Sequence, residues 1–284
     1  MKPFSHPDAD LFIPDELDAD AALKRCTHLA VGAHQDDLEI FAYHGIAACF
    51  GRSDRWFGGV TVTDGAGSSR TGIYADHTDE EMKAIRRHEQ RKAAYVGEYG
   101  IQIQLGHPSK AVKSAAASSE VVDDLEIIFR GCLPDVLYLH NPVDKHDTHV
   151  GLLLRCLDAL RRLPKEQRPA KVYGCEVWRD LDWLLEKDKV VLPVDDYPNL
   201  AASLVALFDS QITGGKRYDL ATAGRRLANA TYHDSHASDQ HDALSWAMDL
   251  TPVVHDDSLD VMEHALSYIE RLKHDVQDRF RRLS

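Results

Sequence analysis

From about residue 27 to residue 178 the chain repeats one unit, a short apolar run followed by a longer amphipathic one. The apolar runs are Thr27–Ala33, Gly58–Thr63, Ile101–Gln104, Val136–His140 and Val172–Val177. Runs this short, with no polar alternation, read as strands covered on both faces, as in a parallel sheet. The stretches between them read as helices over Asp37–Cys49, Asp79–Val96, Ser119–Arg130 and Thr148–Leu163. The second helix opens on a capping box, Thr78 with Glu81, and stops at Gly97. Strand and helix in alternation predict an α/β fold, with a mostly parallel sheet wound on both faces by helices.

After Trp178 the pattern changes. Lys189–Val194 reads as one more strand, Leu200–Phe208 and Tyr218–Ala228 as helices, and Thr231–His241 as a polar loop. That loop concentrates His233, His236 and His241. A solvated loop is the plainest reading; a lid bringing one histidine to a pocket, or a second metal site, are the alternatives. A last helix spans about Leu259 to Phe280, with Met262, Leu266, Ile269, Leu272, Val276 and Phe280 at helical spacing. The stripe is expected to pack into the core. No linker divides the chain. It is read as one Rossmann-like domain, with a core over about 27–180 and a C-terminal elaboration over about 185–284.

The formal net charge of -13 argues against a nucleic-acid surface, which needs a basic patch. It leaves room for a small anionic substrate held by a few arginines. No apolar stretch approaches the roughly 20 residues of a membrane span. The acid-rich start, Met1 to Asp20, lacks the pattern of a signal peptide. The five cysteines are scattered and form no CxxC pair, as expected of reduced thiols in a cytoplasmic protein. There is no GxGxxG after the first strand, no P-loop and no GxSxG elbow. A dinucleotide, nucleotide or serine-hydrolase site is therefore unsupported.

Two strand ends carry the chemistry. The first apolar run leads into Ala33-His34-Gln35-Asp36-Asp37-Leu38-Glu39, and the fourth into Asp144-Lys145-His146-Asp147-Thr148-His149. Ligands of open α/β sheets bind outside the carboxyl ends of the strands, where both runs would lie. His34 and Asp37 are three apart in a strand-to-helix turn, and His149 is the best third ligand. Three such groups suit a catalytic zinc site. Asp36 and His146 are left nearby, supplying the carboxylate and the donor that amide hydrolysis requires.

These residues resemble a known family. Residues 33–40 look like the AHPDDxEI signature of the PIG-L/LmbE-like zinc N-deacetylases, and residues 144–149 resemble its DxHxxH motif. Thr63-Asp64-Gly65-Ala66-Gly67-Ser68 resembles the loop after its second strand, and Arg86-Arg87-His88-Glu89 its helical RxxE element. The resemblance implies that His34, Asp37 and His149 hold Zn2+. It further implies that Asp36 is the general base and that His146 supports the oxyanion. The implied activity is removal of an N-acetyl group from an N-acetylglucosamine-type conjugate. A non-sugar amide and a non-catalytic binding module are the competing readings. Arg86, Arg179 and Asp64 are the candidate substrate contacts. Arg86 and Glu89 read equally well as a structural ion pair. A small-molecule amino sugar is the expected partner, and a homo-oligomer is expected by analogy.

The chain departs from the family at three places. Gln35 replaces a proline, which is expected to loosen the turn. Phe41-Ala42-Tyr43-His44 replaces a glycine-rich run, so the first helix must sit differently, with His44 in a core or supporting role. Thr148 replaces the acid that orients the first histidine of the second motif, leaving Asp144 or Asp147 as substitutes. Asp147 reads equally as a helix N-cap.

Overall fold

The computed structural model describes residues 3–284; Met1 and Lys2 of the acidic N-terminal stretch lie outside the described residues. The strands are β1 (Asp10–Phe12), β2 (His28–Gly32), β3 (Phe57–Thr63), β4 (Ile101–His107), β5 (Val136–His140), β6 (Lys171–Cys175), β7 (Val190–Pro193) and β8 (Leu244–Asp249). The α-helices are α1 (Ala19–Lys24), α2 (Asp37–Phe41), α3 (Tyr43–Cys49), α4 (Asp79–Val96), α5 (Ser109–Lys113) and α6 (Ser119–Cys132). Beyond them come α7 (Asp147–Arg161), α8 (Pro198–Ala206), α9 (Asp209–Ile212), α10 (Tyr218–Thr231), α11 (Thr251–His255) and α12 (Val261–Leu283).

All eight strands form one sheet in the order β1-β4-β3-β2-β5-β6-β8-β7. The five central strands are parallel, as expected, and β1, β7 and β8 pair antiparallel. From β2 the chain proceeds outward through β3 and β4; from β5 it proceeds the other way through β6. The switch point between β2 and β5 is where a crevice opens in such sheets.

Successive side chains alternate across the sheet. Leu29 and Val31 of β2 join Val60, Ile103 and Leu139 beneath α1, α6 and α7. Ala30 faces the other way, with Phe57 and Tyr138, beneath α2, α3 and α8. A third cluster, built on Trp246, Met248, Ala265 and Tyr268, fastens the C-terminal elements to β8. All five cysteines are free and buried. Among the described residues no helix is long and apolar enough to cross a membrane.

The helix expected over Asp37–Cys49 is broken at Ala42 into α2 and α3. Phe41 fills the space against the His140 ring, 5.0 Å away. The close approach falls instead at Gly45, where a Cβ would stand 2.6 Å from the Tyr138 ring. His44 sits on this helix as a supporting residue, its Nδ1 2.8 Å from the Tyr138 hydroxyl.

The stripe on α12 is not core. Met262, Leu266, Ile269, Val276 and Phe280 are exposed, and the helix packs inward through Ala265 and Tyr268 instead. Only the small Ala265 and the long Tyr268 fit beneath the helix against the β8 cluster.

Burial pushes the His44 imidazole down to about 4 from an ordinary 6.5. Between those values the unfolded chain binds the extra proton, so stability is lost as pH falls through that window. His44→Gln keeps an acceptor for Tyr138 without titrating. Its thermal midpoint is expected to fall less steeply than the parent's between pH 6.5 and 4; identical slopes would rule out this contribution.

Candidate active site

The site begins at the end of β2. A Cβ on Gly32 would meet the Asp37 Cβ at 2.9 Å, so glycine lets α2 turn back tightly over the strand. Asp36 then takes a φ of 103°, outside the comfortable range of an L-residue. Such conformations cost about 1–3 kcal/mol and persist only when the surroundings impose them.

The surroundings here are hydrogen bonds. Gln35 is buried, and its Nε2 donates to the Thr63 carbonyl at 3.2 Å and to Gln104 Oε1 at 3.3 Å. Arg86 donates from Nε to Gln35 Oε1 at 3.2 Å, and its guanidinium also bonds the Gln35 carbonyl. Gln35 therefore does not loosen the turn: it links the ends of β3 and β4 to α4. Arg86 also lies 3.4 Å from the Asp36 carboxylate. It makes no pair with Glu89, whose two oxygens accept from the Ser210 backbone N–H and hydroxyl. The buried Glu39 supports the turn from below, accepting from Tyr99 Oη at 2.7 Å and Gln90 Nε2 at 2.8 Å.

Asp37 points into a ring of imidazoles. His34 Nδ1 lies 3.4 Å from Asp37 Oδ2, His149 Nε2 lies 3.4 Å from Oδ1, and the two nitrogens are 3.2 Å apart. Tetrahedral zinc with ligand bonds of about 2.0–2.1 Å places its ligand atoms roughly 3.4 Å apart. The structure brings the three residues named from sequence together, the two histidines each facing a different oxygen of Asp37. His140, which the sequence reading did not select, is a further neighbour, with Nε2 3.3 Å from Asp37 Oδ2. That nitrogen accepts the Ala33 N–H at 3.0 Å, which occupies its lone pair. Its ring instead stacks on His149, with centroids 3.8 Å apart. His146 also brings a nitrogen within 4.8 Å of those of His34 and His149.

Asp144 is the orienting acid. Its Oδ2 lies 3.4 Å from His149 Nδ1 and its Oδ1 accepts the His146 N–H at 3.1 Å. A carboxylate on the far nitrogen of a ligating histidine fixes its tautomer and raises its basicity. His146 itself receives no acid; Nδ1 is buried without a partner, and the ring is held between Trp178 and His149. Asp147 is the first residue of α7, whose N-cap is His146, so the N-cap reading is corrected.

The charges follow from this packing. Burial alone would raise Asp37, but the neighbouring His149 and His140 imidazoles and the hydrogen bond with His34 hold it well below the usual range. Burial lifts Asp36 to about 8 against the opposing pull of Arg86, with Asp37 and Glu39 adding to the rise. Burial, then the neighbouring His149 and His34, lower His146 to about 4. A divalent cation in the ring would draw the Asp36 carboxyl back down.

These groups line a cleft of about 620 Å³. His34, Asp36, Asp37, Arg86 and His146 are on its wall; Arg179 and Asp64 are not. Arg179 turns away to the Val143 carbonyl, 2.5 Å distant. Asp64 closes its own loop by accepting the Ala66 N–H at 3.1 Å and pairs with Lys83. Beyond the motifs the wall includes Lys113, Trp178, Lys216, Tyr218 and Arg226. Arg226 also donates to the Glu39 and Ile40 carbonyls, capping the end of α2. The histidine-rich segment supplies nothing to the cleft; His233 and His241 border a separate hollow of about 180 Å³.

Residues 29–156 match the family described as PIG-L: GlcNAc-PI de-N-acetylase. The matched segment is a little under half of the chain. It runs from β2 into α7 and contains every residue of the ring. Solved structures share the fold over a longer span. N,N'-diacetylchitobiose deacetylase from Pyrococcus horikoshii is 16% identical, with a TM-score of 0.61 over 85% of this chain and 90% of that one. GalB, the 4-carboxy-2-hydroxymuconate hydratase from Pseudomonas putida KT2440, is 16% identical, with a TM-score of 0.62 over 79% and 96%. The deacetylase of the A40926 pseudoaglycone is 15% identical, with a TM-score of 0.54 over 79% and 97%. No curated protein sequence matches the chain.

Two substitutions test how the site is held. Gln35→Leu takes away the acceptor of Arg86 Nε and one donor to the Thr63 carbonyl, a loss of about 1–3 kcal/mol to be read by urea unfolding. Asp144→Asn should weaken zinc binding about 10–100-fold by titration calorimetry. An unchanged affinity would show that Asp144 does not tune His149.

Proposed function

We propose that this chain is a metal-dependent amide hydrolase that removes the N-acetyl group of an N-acetylglucosamine-type conjugate. The observation that carries the reading is the ring of His34, Asp37 and His149 at 3.2–3.4 Å spacing, with Asp36 and His146 beside it on the cleft wall. A zinc ion held by these three would supply Lewis-acid polarisation of the acyl oxygen and acidify a water molecule. Asp36, fixed by Arg86 and by the strained turn, takes the proton from the attacking water. His146, neutral in this setting, donates an N–H to the oxyanion as the carbonyl becomes tetrahedral. The C–N bond then breaks. Acetate leaves, and the proton held by Asp36 passes to the departing amine.

The wall suits a sugar conjugate. Trp178 and Tyr218 meet edge to face, 6.1 Å apart, and offer apolar faces of the kind sugar rings stack on. Lys216 hangs 5.1 Å over the Trp178 ring, and Lys113 stands elsewhere on the wall; both cations suit an acidic substituent. The same cations support a second reading, suggested by GalB: hydration of a small carboxylic acid on this fold. Acetate release separates the two.

The deciding experiment is acetate release from the free sugar, its 6-phosphate, the disaccharide and simple glycosides, before and after chelation and with zinc restored. Metal-dependent release from any of them is expected; no release from zinc-loaded protein would reject the amino-sugar reading. Asp36→Asn is expected to retain zinc, by elemental analysis, while turnover falls by about 10²–10⁴. Undiminished turnover would remove Asp36 as the base.

A further inference from the structure

The apolar stripe of α12 has a spacing that core packing does not demand. Met262, Leu266, Ile269, Val276, Phe280 and Leu283 are each between 41% and 77% exposed. With Lys273 they alternate at steps of four and three without interruption: 262, 266, 269, 273, 276, 280, 283. That is a strict heptad seam, the narrow stripe that one helix presents to another rather than the broader face that covers a sheet. The support beneath the helix ends early. Ala265 and Tyr268 are buried and Arg271 pairs with Asp188 at 2.9 Å, but beyond Leu272 every residue except Asp275 is exposed. Helices shorter than about 12–15 residues are marginal in water on their own, so these last three turns gain from a partner.

Charge identifies the partner. The approach to the helix and its first turn carry Asp256, Asp257, Asp260 and Glu263 with no basic residue among them, while from Lys273 onward Lys273, Arg279, Arg281 and Arg282 outweigh Asp275 and Asp278, which pair with Arg279 and Arg281. A parallel copy would stack arginine on arginine. An antiparallel copy sets each basic end beside an acidic start and opposes the helix dipoles favourably. Centred near Arg271, it places Met262 level with Phe280 of the second copy and Leu266 level with Val276. Lys273 falls beside Ile269, a polar seam position of the kind that selects one register at a cost in stability.

We infer that α12 is a self-association surface and that two copies of this chain pair through it as an antiparallel, two-fold helical seam. A contact along one helix of this length is at the small end of stable interfaces, so the dimer should dissociate on dilution.

The test is sedimentation of the full chain over a concentration series. The expected result is a reversible shift from the 31.8 kDa monomer to twice that mass. Ile269→Lys combined with Val276→Lys should remain monomeric, with the circular dichroism spectrum and melting temperature of the parent at the dilution where the parent is monomeric, because both side chains are exposed in the single chain. Lys273→Leu should tighten the dimer by roughly tenfold or more. A parent protein that stays monomeric at its solubility limit overturns the inference, including one that instead binds anionic lipid vesicles. So does a dimer that survives the double lysine variant. Phe280→Cys reports orientation: oxidative cross-linking of that position to its own copy requires parallel helices and would overturn the antiparallel pairing.

Discussion

A carboxylate sealed from water must be surrounded by donors or positive charge, and the floor of this cleft is organised around that requirement at Asp37. The His34 backbone N–H donates to it at 2.7 Å, and the rings of His34, His140 and His149 close around it. Each of those histidines is placed by a different part of the sheet: His34 after β2, His140 at the end of β5, His149 in the first turn of α7. The parallel pairing of β2 with β5 brings them to one point. Neutral imidazoles gathered around a deprotonated carboxylate are also a donor set that suits a divalent cation such as zinc.

The price of that geometry is paid at Asp36. The turn that aims Asp37 downward holds Asp36 at positive φ and buries its carboxylate beside another. Arg86 and Gln35 hold the turn in place, and a side chain expected to weaken it is one of its main fastenings. Rigidity that a proline would provide by restricting the backbone is provided here by buried hydrogen bonds, which depend on β3, β4 and α4 all being in register.

The C-terminal elaboration completes the cleft and does more than cover the sheet. Glu176 receives Asn229 Nδ2 at 2.6 Å and the Trp246 N–H at 3.1 Å, joining β6, α10 and β8 behind the wall. Arg226 reaches from α10 to the end of α2. The turn at Asp36 is therefore braced from both halves of the chain, although the family match lies only in residues 29–156.

Much of this was legible in the chain. Short apolar runs identify buried parallel strands because such strands have no solvent face, and α4 is bounded as expected because its capping groups are local. That His34, Asp37 and His149 meet was readable because their motifs adjoin strand ends. The strands β1 and β8 escaped notice: each is held by pairing with strands distant in sequence, β1 with β4 and β8 with β6 and β7. So did His140, whose place beside Asp37 exists only once β5 lies against β2. Spacing alone allowed Arg86 to pair with Glu89, while the fold offered each a better partner. The stripe on α12 makes the same distinction. Helical periodicity, a local property, shows that one face is apolar; what covers that face is decided by how much room the rest of the molecule leaves, and here the tertiary structure left it open.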